Sequence, residues 1–514
     1  MSQSRQVRNS EDYSDRSVDD AVTLSYRYQR FSSWLARYEL PVLLGIFVVY
    51  GLIAFPFHGP YQTGLDTPSY TDPAVSYLRG YGFTSSLWYA QESNVFWAGN
   101  VPLHQFLLLP WLKIFGISLE SVLALSFGYI LLATFFVWLA LKRSSLIETA
   151  DWRLGTITFF LLTDTVYHLL STARSEPLAF FLVGATAFSL TLKRGTIRYA
   201  MLFLLGALTV WAHLAVALYT AVLGALLLVF YGRHYWKEVL SFGSGGFTGL
   251  LGLLGMYYHF GVLKNFISSV APHIGGKGFQ TSEILAGHPL SGLGQSFDLP
   301  YFAVALVLLL IVGIRNQNLR FPLFSLTAAV AIPVALIKLG VFPFYYGWML
   351  IVLLTILIFS MLSKLPQKSV LPLLLVSLLI FKVVSPGSFP RKAAKNRLAL
   401  NGHPNREIDD FVKKHIRPDD YVLLLPPFYF PTINTAFRTA HLPKLDPTFV
   451  FEEHLAIVKK NKAPATVMIA PKSTAADIAK ITEGHWSPIN EEITVWGTTF
   501  TLYRRSPQNQ SSPQ

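Results

Sequence analysis

Apolar runs of roughly 17 to 22 residues recur along this chain, and each is the length of a helix that crosses the hydrocarbon of a bilayer. No other feature restricts the fold as strongly. A backbone surrounded by lipid must satisfy its own hydrogen bonds, so spanning segments are helices or closed barrels. The runs lie near 40–57, 119–141, 155–171, 175–192, 199–213, 214–231, 238–260, 300–314, 321–338, 342–362 and 369–386. Only 14% of the residues are charged and 52% are hydrophobic, whereas soluble chains carry roughly a quarter charged residues. The expected fold is an α-helical polytopic membrane protein of about eleven spans.

The net charge of +13 does not indicate nucleic acid as a partner. The basic residues stand in short clusters between apolar runs, which is the pattern that orients a membrane protein. Counting spans alternately puts Lys142/Arg143/Arg153, Lys193/Arg194/Arg198, Arg233/Lys237, Arg315/Arg320 and Lys364/Lys368 on one side, with the polar tail 1–39. That side is the cytoplasmic one by the positive-inside rule. The tail ends in an expected interfacial helix, Tyr26 to Tyr38, with Phe31, Trp34 and Leu35 on one face. The division between 199–213 and 214–231, near Ala212-His213, is the least distinct in the apolar pattern. The chain has no cysteine, so disulfides, thiolates and cysteine-ligated metals are excluded.

The opposite face collects the long segment 58–118, the turn Thr172 to Glu176, the loop 261–299, the turn from Lys338 to Tyr346 and everything after about 387. Segment 58–118 opens on Gly64-Leu65-Asp66-Thr67-Pro68-Ser69-Tyr70-Thr71-Asp72. Carboxylates just past a membrane-entry helix are candidate general bases. They are equally explained by capping, with Asp66 or Thr67 before a helix that starts at Pro68 and with Asp72 solvated. Tyr70, Ala74, Tyr77, Leu78 and Tyr81 recur at helical spacing, as on a helix lying on headgroups, and Gly80-Tyr81-Gly82 ends it. Pro102 to Phe115 reads as a second helix too short for a full span.

Further polar groups fall on that face: Glu92, His104, the pair Asp164 and His168, Arg174 with Glu176, and Lys338. Polar groups at such depths are paired or functional. Asp164 and His168 read better as a mutually satisfied helical pair, and Arg174 with Glu176 equally well as a structural clamp. His273-Ile-Gly-Gly-Lys277-Gly could cradle a phosphate, although loops gather glycine for many reasons.

The composition changes after the last span. Glu407–His415, 449–461 and 473–483 read as helices, Tyr421–Leu425 and Thr466–Ala470 as buried strands, and Ile493–Arg504 as a hairpin about Trp496-Gly497. The expected domains are a tail 1–39, a membrane module 40–388 with the outer loop 58–118, an extracytoplasmic α/β domain 389–505, and a disordered end 506–514.

The first outer loop resembles that of the GT-C glycosyltransferases, close to the protein O-mannosyltransferases and the lipid A aminoarabinose transferases. Asp66, Tyr70 and Asp72 match that family's acid, tyrosine and second acid; Pro102-Leu103 and Phe115-Gly116 match its following helix; Arg174-Ser175-Glu176 matches a later outer turn. Thr67 stands where many relatives have Glu, and Asn100 and Val101 stand where many have Lys before Pro-Leu. The resemblance implies an enzyme in a bacterial cytoplasmic membrane with its site on the outer face. It would move a sugar from a polyprenyl-phosphate donor to a hydroxyl of a glycan, lipid or protein, with inversion. Asp66 and Asp72 would be catalytic. Arg174, Glu176, Lys277, Lys338, Tyr70, Tyr345 and Tyr346 would bind substrate, and apolar grooves would hold the polyprenyl tail. No cofactor is specified, and a divalent cation is left open.

A transporter or flippase of a lipid-linked sugar is the alternative from another class. Transporters carry broken helices and charges near mid-membrane, whereas the polar groups here gather at one face. A membrane scaffold for the 400–505 domain would leave the long first loop unexplained. The topology is directly testable. Single cysteines at Ser93 and Ser473 are expected to react with an impermeant thiol reagent from outside, and one at Ser144 only after permeabilisation. Labelling of Ser473 solely after permeabilisation would put the carboxy-terminal domain in the cytoplasm.

Overall fold

The computed structural model describes residues 28–54, 66–88, 91–170, 173–275, 320–338, 347–363, 371–384, 404–441, 464–472, 485–495 and 497–506, with a few isolated residues beside them. It is largely helical, with one small sheet near the carboxy terminus. The helical part opens with α1 (Tyr28–Arg37) and α2 (Glu39–Ala54), which meet at 84°. There follow α3 (Asp66–Leu78), α4 (Leu103–Phe115), α5 (Leu119–Ser144), α6 (Ala150–Leu161), α7 (Asp164–Leu170), α8 (Glu176–Leu190), α9 (Thr196–Ala212), α10 (Leu214–Tyr231), α11 (Trp236–His259) and α12 (Leu263–Gly275). Helices α13 (Arg320–Lys338), α14 (Gly347–Leu362) and α15 (Leu371–Val384) complete it.

Ring contacts and close approaches give the helix directions. Tyr129 meets Phe181, Phe136 meets Phe188, and the Gly184 backbone lies against the Ala133 carbonyl, so α5 and α8 run parallel. Phe203 faces Gly245 and Ala207 faces Gly249, so α9 and α11 also run parallel. Helix α10 returns between them, and His213, extended at φ −169°, separates α9 from α10. The indistinct division at Ala212-His213 is therefore a real reversal of the chain.

Among the described residues, three helices taken singly are long and apolar enough to cross a membrane: α5, α11, and α10 with the turn after it to His234; α1 and α2 together would make a fourth. The expected run 155–171 is broken, because α6 ends at Leu161 and α7 begins at Asp164. Thr163 occupies the break; its hydroxyl donates to the Phe160 carbonyl and accepts from the Val166 N–H, competing with the helical ladder. The run 300–314 lies outside the described residues apart from Val307, and so do the side chains of Asp164 and His168.

Residues of the basic clusters partner buried acids. Glu39, 2% exposed, takes two hydrogen bonds from Arg153 at 2.7 and 2.8 Å and one from Trp138 Nε1 at 2.7 Å, with Lys142 at 3.2 Å. This ties together the ends of α2, α5 and α6. Glu238 at the start of α11 pairs with Arg198 at 2.9 Å and Arg194 at 3.2 Å. A buried carboxylate is tolerated only when its lone pairs are met in this way. We call this end of the bundle its basic end. Leu35 of α1 turns into the core and leaves the face with Phe31 and Trp34 expected for it.

The carboxy-terminal sheet has the order β2-β1-β3-β5-β4, from β1 (Tyr421–Leu424), β2 (Arg438–His441), β3 (Val467–Pro471), β4 (Trp486–Val495) and β5 (Thr498–Arg505). Strands β2 and β3 flank β1 in parallel, and β5 is antiparallel to β3 and β4. The helix over Pro404–His415, strands β1 and β3 and the β4–β5 hairpin follow the expected pattern; β2 and a short helix Tyr429–Ile433 were not expected. The helices expected at 449–461 and 473–483 lie outside the described residues, apart from residue 460.

Close approach of α9 and α11 requires glycine. A Cβ on Gly245 would sit 1.9 Å from the Phe203 carbonyl oxygen, so the helices must separate to admit one. Gly245→Ala is expected to cost about 1–3 kcal/mol, the range for overpacking, read as a lower melting temperature in detergent. Gly243→Ala, where a Cβ meets nothing within 4 Å, is the control and should melt like the parent.

Candidate active site

Helix α3 carries both candidate acids, but on different sides. Six residues at about 100° each leave Asp66 and Asp72 roughly 120° apart around the axis. Asp66 stands in the first turn, where unpaired backbone N–H groups favour a carboxylate. The helix therefore begins at Asp66, two residues before the expected start at Pro68.

The turn before α8 folds against this end of α3. The Ala173 N–H donates to Thr67 Oγ1 at 3.2 Å, which brings Arg174 over α3. Arg174 Nη1 donates to Asp66 Oδ2 at 2.9 Å, and Nη2 pairs with Glu176 Oε1 at 2.8 Å. The guanidinium also lies 5.8 Å from the centre of the Tyr70 ring. His213 Nε2, at the α9–α10 reversal, stands 3.8 Å from Glu176 Oε1. Exposure separates the two carboxylates on Arg174: the Asp66 side chain is 49% exposed and that of Glu176 only 4%. Glu176 is a buried brace, while Asp66 keeps an open side.

Tyr70 is buried beneath Arg174. Its hydroxyl accepts from Asn100 Nδ2 at 2.7 Å, and Asn100's own carbonyl accepts from Tyr257. Burial raises the Tyr70 pKa, so the phenol stays protonated. His104, in the first turn of α4, is fully buried, and neither ring nitrogen has a hydrogen-bond partner among the described residues. Burial lowers its pKa to about 4, with Glu176 pulling the other way, so the ring is neutral.

Asp72 is 1% exposed, which overturns the solvated reading. It accepts from Ser85 Oγ at 2.7 Å, the Ser86 N–H at 2.9 Å and Tyr429 Oη at 3.1 Å. Burial raises its pKa, opposed by these hydrogen bonds and by Arg438. Tyr429, in the short helix after β1, therefore links the first loop to the carboxy-terminal domain. Around it, Arg79 donates to the Ala436 carbonyl at 2.7 Å, Tyr81 to that of Phe437 at 3.0 Å, Ser86 to that of Thr439, and Arg438 to that of Ser93 at 2.6 Å. Between this seam, α4 and the turn before α8, residues 67–68 and 70–76 of α3 are buried, and α3 does not lie on headgroups; of the expected aromatic face Tyr77 is the most exposed, at 55%. Gly80 at φ +84° and Gly82 at φ +79° end the helix as expected, since such angles favour glycine.

Of the expected site residues, Asp66, Tyr70, Arg174 and Glu176 come together, and Asp72 lies apart in the seam with the carboxy-terminal domain. Lys277, Tyr345 and Tyr346 lie outside the described residues; Lys338 ends α13, with its side chain outside them. Asn100, His213 and Tyr429 were not anticipated, because each is a lone residue with no spacing pattern. Among the described residues no three His, Asp or Glu converge as metal ligands. The charged neighbour of Asp66 among the described residues is the Arg174 guanidinium at 2.9 Å.

The described residues thus define a polytopic helical membrane protein with a charged cluster at the end of the bundle opposite the basic one. ArnT from Cupriavidus metallidurans bound to undecaprenyl phosphate superposes with a TM-score of 0.60 at 13% identity, covering 92% of this chain and 98% of that one. The apo state of that ArnT gives 0.58 at 13% identity, covering 89% and 97%. The Archaeoglobus fulgidus oligosaccharyltransferase tethered with an acceptor peptide gives 0.51 at 13% identity, covering 92% and 75%. No family model and no curated protein matches the sequence. The fold is therefore that of the GT-C class, which the first-loop motifs had pointed to.

The Asp72 environment has a pH signature. Its folded pKa lies above its unfolded value of about 3.9, so its contribution to stability is fully present below about pH 4 and is lost as pH rises through the folded pKa. The melting temperature of Asp72→Asn minus that of the parent is expected to become more positive from about pH 4 to about pH 7. A difference that does not change with pH would mean an unshifted carboxylate.

Proposed function

We propose that this chain is an inverting membrane glycosyltransferase that takes a sugar from a polyprenyl-phosphate donor. The acceptor is a hydroxyl of a glycan, lipid or protein, and the reaction runs on the outer face of a bacterial cytoplasmic membrane. The observation that carries the reading is the half-exposed Asp66 carboxylate, ion-paired to an Arg174 that a buried Glu176 braces from behind. The GT-C fold supports it, as does the undecaprenyl phosphate bound by the ArnT of similar fold.

The acceptor oxygen attacks the anomeric carbon from the side opposite the phosphate. Asp66 accepts the hydroxyl proton as the new C–O bond forms. The bond from the anomeric carbon to phosphate oxygen breaks, its electron pair leaves with the polyprenyl phosphate, and the configuration inverts. Arg174 holds the Asp66 carboxylate oriented toward the attacking oxygen. Cations facing the leaving phosphate stabilise its developing charge; Lys277 and Lys338 are assigned here, and Tyr345 and Tyr346 hold sugar or phosphate, while the buried Tyr70, its hydroxyl on Asn100, supports Arg174 from beneath. Asp72 acts one step removed, holding α3 against the carboxy-terminal domain, and we reassign it from proton transfer to positioning. The span count of about eleven, with the membrane module at 40–388 and an outer domain at 389–505 that shapes acceptor access, belongs to the same proposal.

Asp66→Asn keeps side-chain size and capping, because Asn caps helices about as well as Asp, but an amide accepts no proton near neutral pH. Turnover of a polyprenyl-phosphate sugar is expected to fall roughly 10² to 10⁴-fold, with normal expression and melting. Mass spectrometry of envelope glycans and polyprenyl-phosphate sugars with and without the protein identifies donor and acceptor. Full turnover in both Asp66→Asn and Asp72→Asn would remove the enzyme reading and favour a lipid-linked-sugar transporter.

A further inference from the structure

Helix α1 turns away from α2 by 84° and lies across the basic end of the bundle. At about 100° per residue its side chains divide into four sides. Tyr28, Ser32 and Leu35 face the bundle: Tyr28 Oη donates to Asp151 at the start of α6, and Leu35 joins the core with Leu43 and Phe47. About a quarter turn to one side come Gln29, Ser33 and Ala36, all exposed. On the opposite flank come Phe31 and Trp34, with Tyr38 at the joint, exposed by 53, 49 and 41%. Their rings lie 6.2 and 5.5 Å apart in sequence order. Arg30 and Arg37 point away from the bundle, between the polar and aromatic flanks, and both are exposed.

The aromatic flank has a continuation. Past the bend, Leu40, Leu44, Val48 and Leu52 form an exposed stripe along α2, at 43, 49, 61 and 70%. On a spanning helix such a stripe meets acyl chains. A helix set nearly perpendicular to that span, aromatic toward the hydrocarbon and polar on the reverse, has the geometry of an interfacial anchor. The two arginines stand at headgroup level, and the exposed Lys142 and Arg143 lie at the same end of the bundle.

We propose that α1 is a binding surface for the anionic headgroups of the leaflet at the basic end, with Phe31, Trp34 and Tyr38 turned to the acyl chains and Arg30 and Arg37 on the lipid phosphates. The surface is independent of the catalytic reading, since it lies at the other end of the bundle. It also fixes the depth at which the bundle sits, because Tyr28 and Leu35 fasten the same helix to α6 and the core.

The absence of cysteine makes the test clean. Nitroxide labels on Trp34→Cys and, separately, Ser33→Cys are read in full-length protein in vesicles of phosphatidylcholine and phosphatidylglycerol. At position 34 collisions with oxygen should exceed those with an aqueous nickel chelate, and at position 33 the order should reverse. Water-like behaviour at both positions, or a label at 34 shielded from both reagents as beneath a protein partner or second copy, overturns the proposal. The charge component is read separately, by native mass spectrometry of lipids retained in nanodiscs. Arg30→Gln with Arg37→Gln should lower the preference for phosphatidylglycerol over phosphatidylcholine about thirtyfold, given the usual attraction per basic residue at an anionic surface. An unchanged preference overturns the assignment of the headgroup contact to these arginines.

Discussion

Arg174 carries the geometry of the candidate site. It stands between Asp66 on α3 and Glu176 at the start of α8, at 2.9 and 2.8 Å, over the Tyr70 ring. A guanidinium this little exposed needs negative partners, and its planar fork reaches two carboxylates at once. The exposed carboxylate is free to meet a substrate, whereas the buried one holds the cation in place. The site thus depends on an asymmetry of burial between two chemically similar acids.

The same rule organises the other end of the bundle. Glu39 gathers Arg153, Trp138 and Lys142, and Glu238 gathers Arg194 and Arg198. Each cluster joins helices far apart in sequence at a depth where an unpaired charge is costly. Several of the clustered basic residues are thus the partners of buried acids. Between these ends, direct backbone contact through Gly206, Gly245 and Gly249 holds α9 and α11 together.

Asp72 connects the membrane module to the rest of the chain. Its donors come from the loop after α3 and from Tyr429, and Arg79, Tyr81, Ser86 and Arg438 bond across the same seam. The second half of the helix that bears Asp66, and the loop after it, are therefore tied to the carboxy-terminal segment. That segment is a wall of the site's supporting structure, with β2 at the seam.

Much was legible in the sequence because membrane spans, basic clusters and strands are periodic or compositional signals. Among the described residues most of the expected apolar runs coincide with helices, although 155–171 is broken and 300–314 lies outside them; basic clusters fall at one end of those helices, and the ordered motifs from Asp66 to Glu176 pointed to the fold. Four of the expected site residues, Asp66, Tyr70, Arg174 and Glu176, lie together. The sequence did not separate Asp66 from Asp72 in role, although a spacing of six already put them on different sides of a helix. It also did not find Tyr429, His213 or Asn100, nor the strand Arg438–His441. Those depend on contacts between residues separated by tens to hundreds of positions, and no local pattern encodes them. Chain order determines which segments are apolar, helical or extended; only the packed structure decides which acid is buried against a tyrosine and which is left facing outward, because burial belongs to the assembly of segments and not to any one of them.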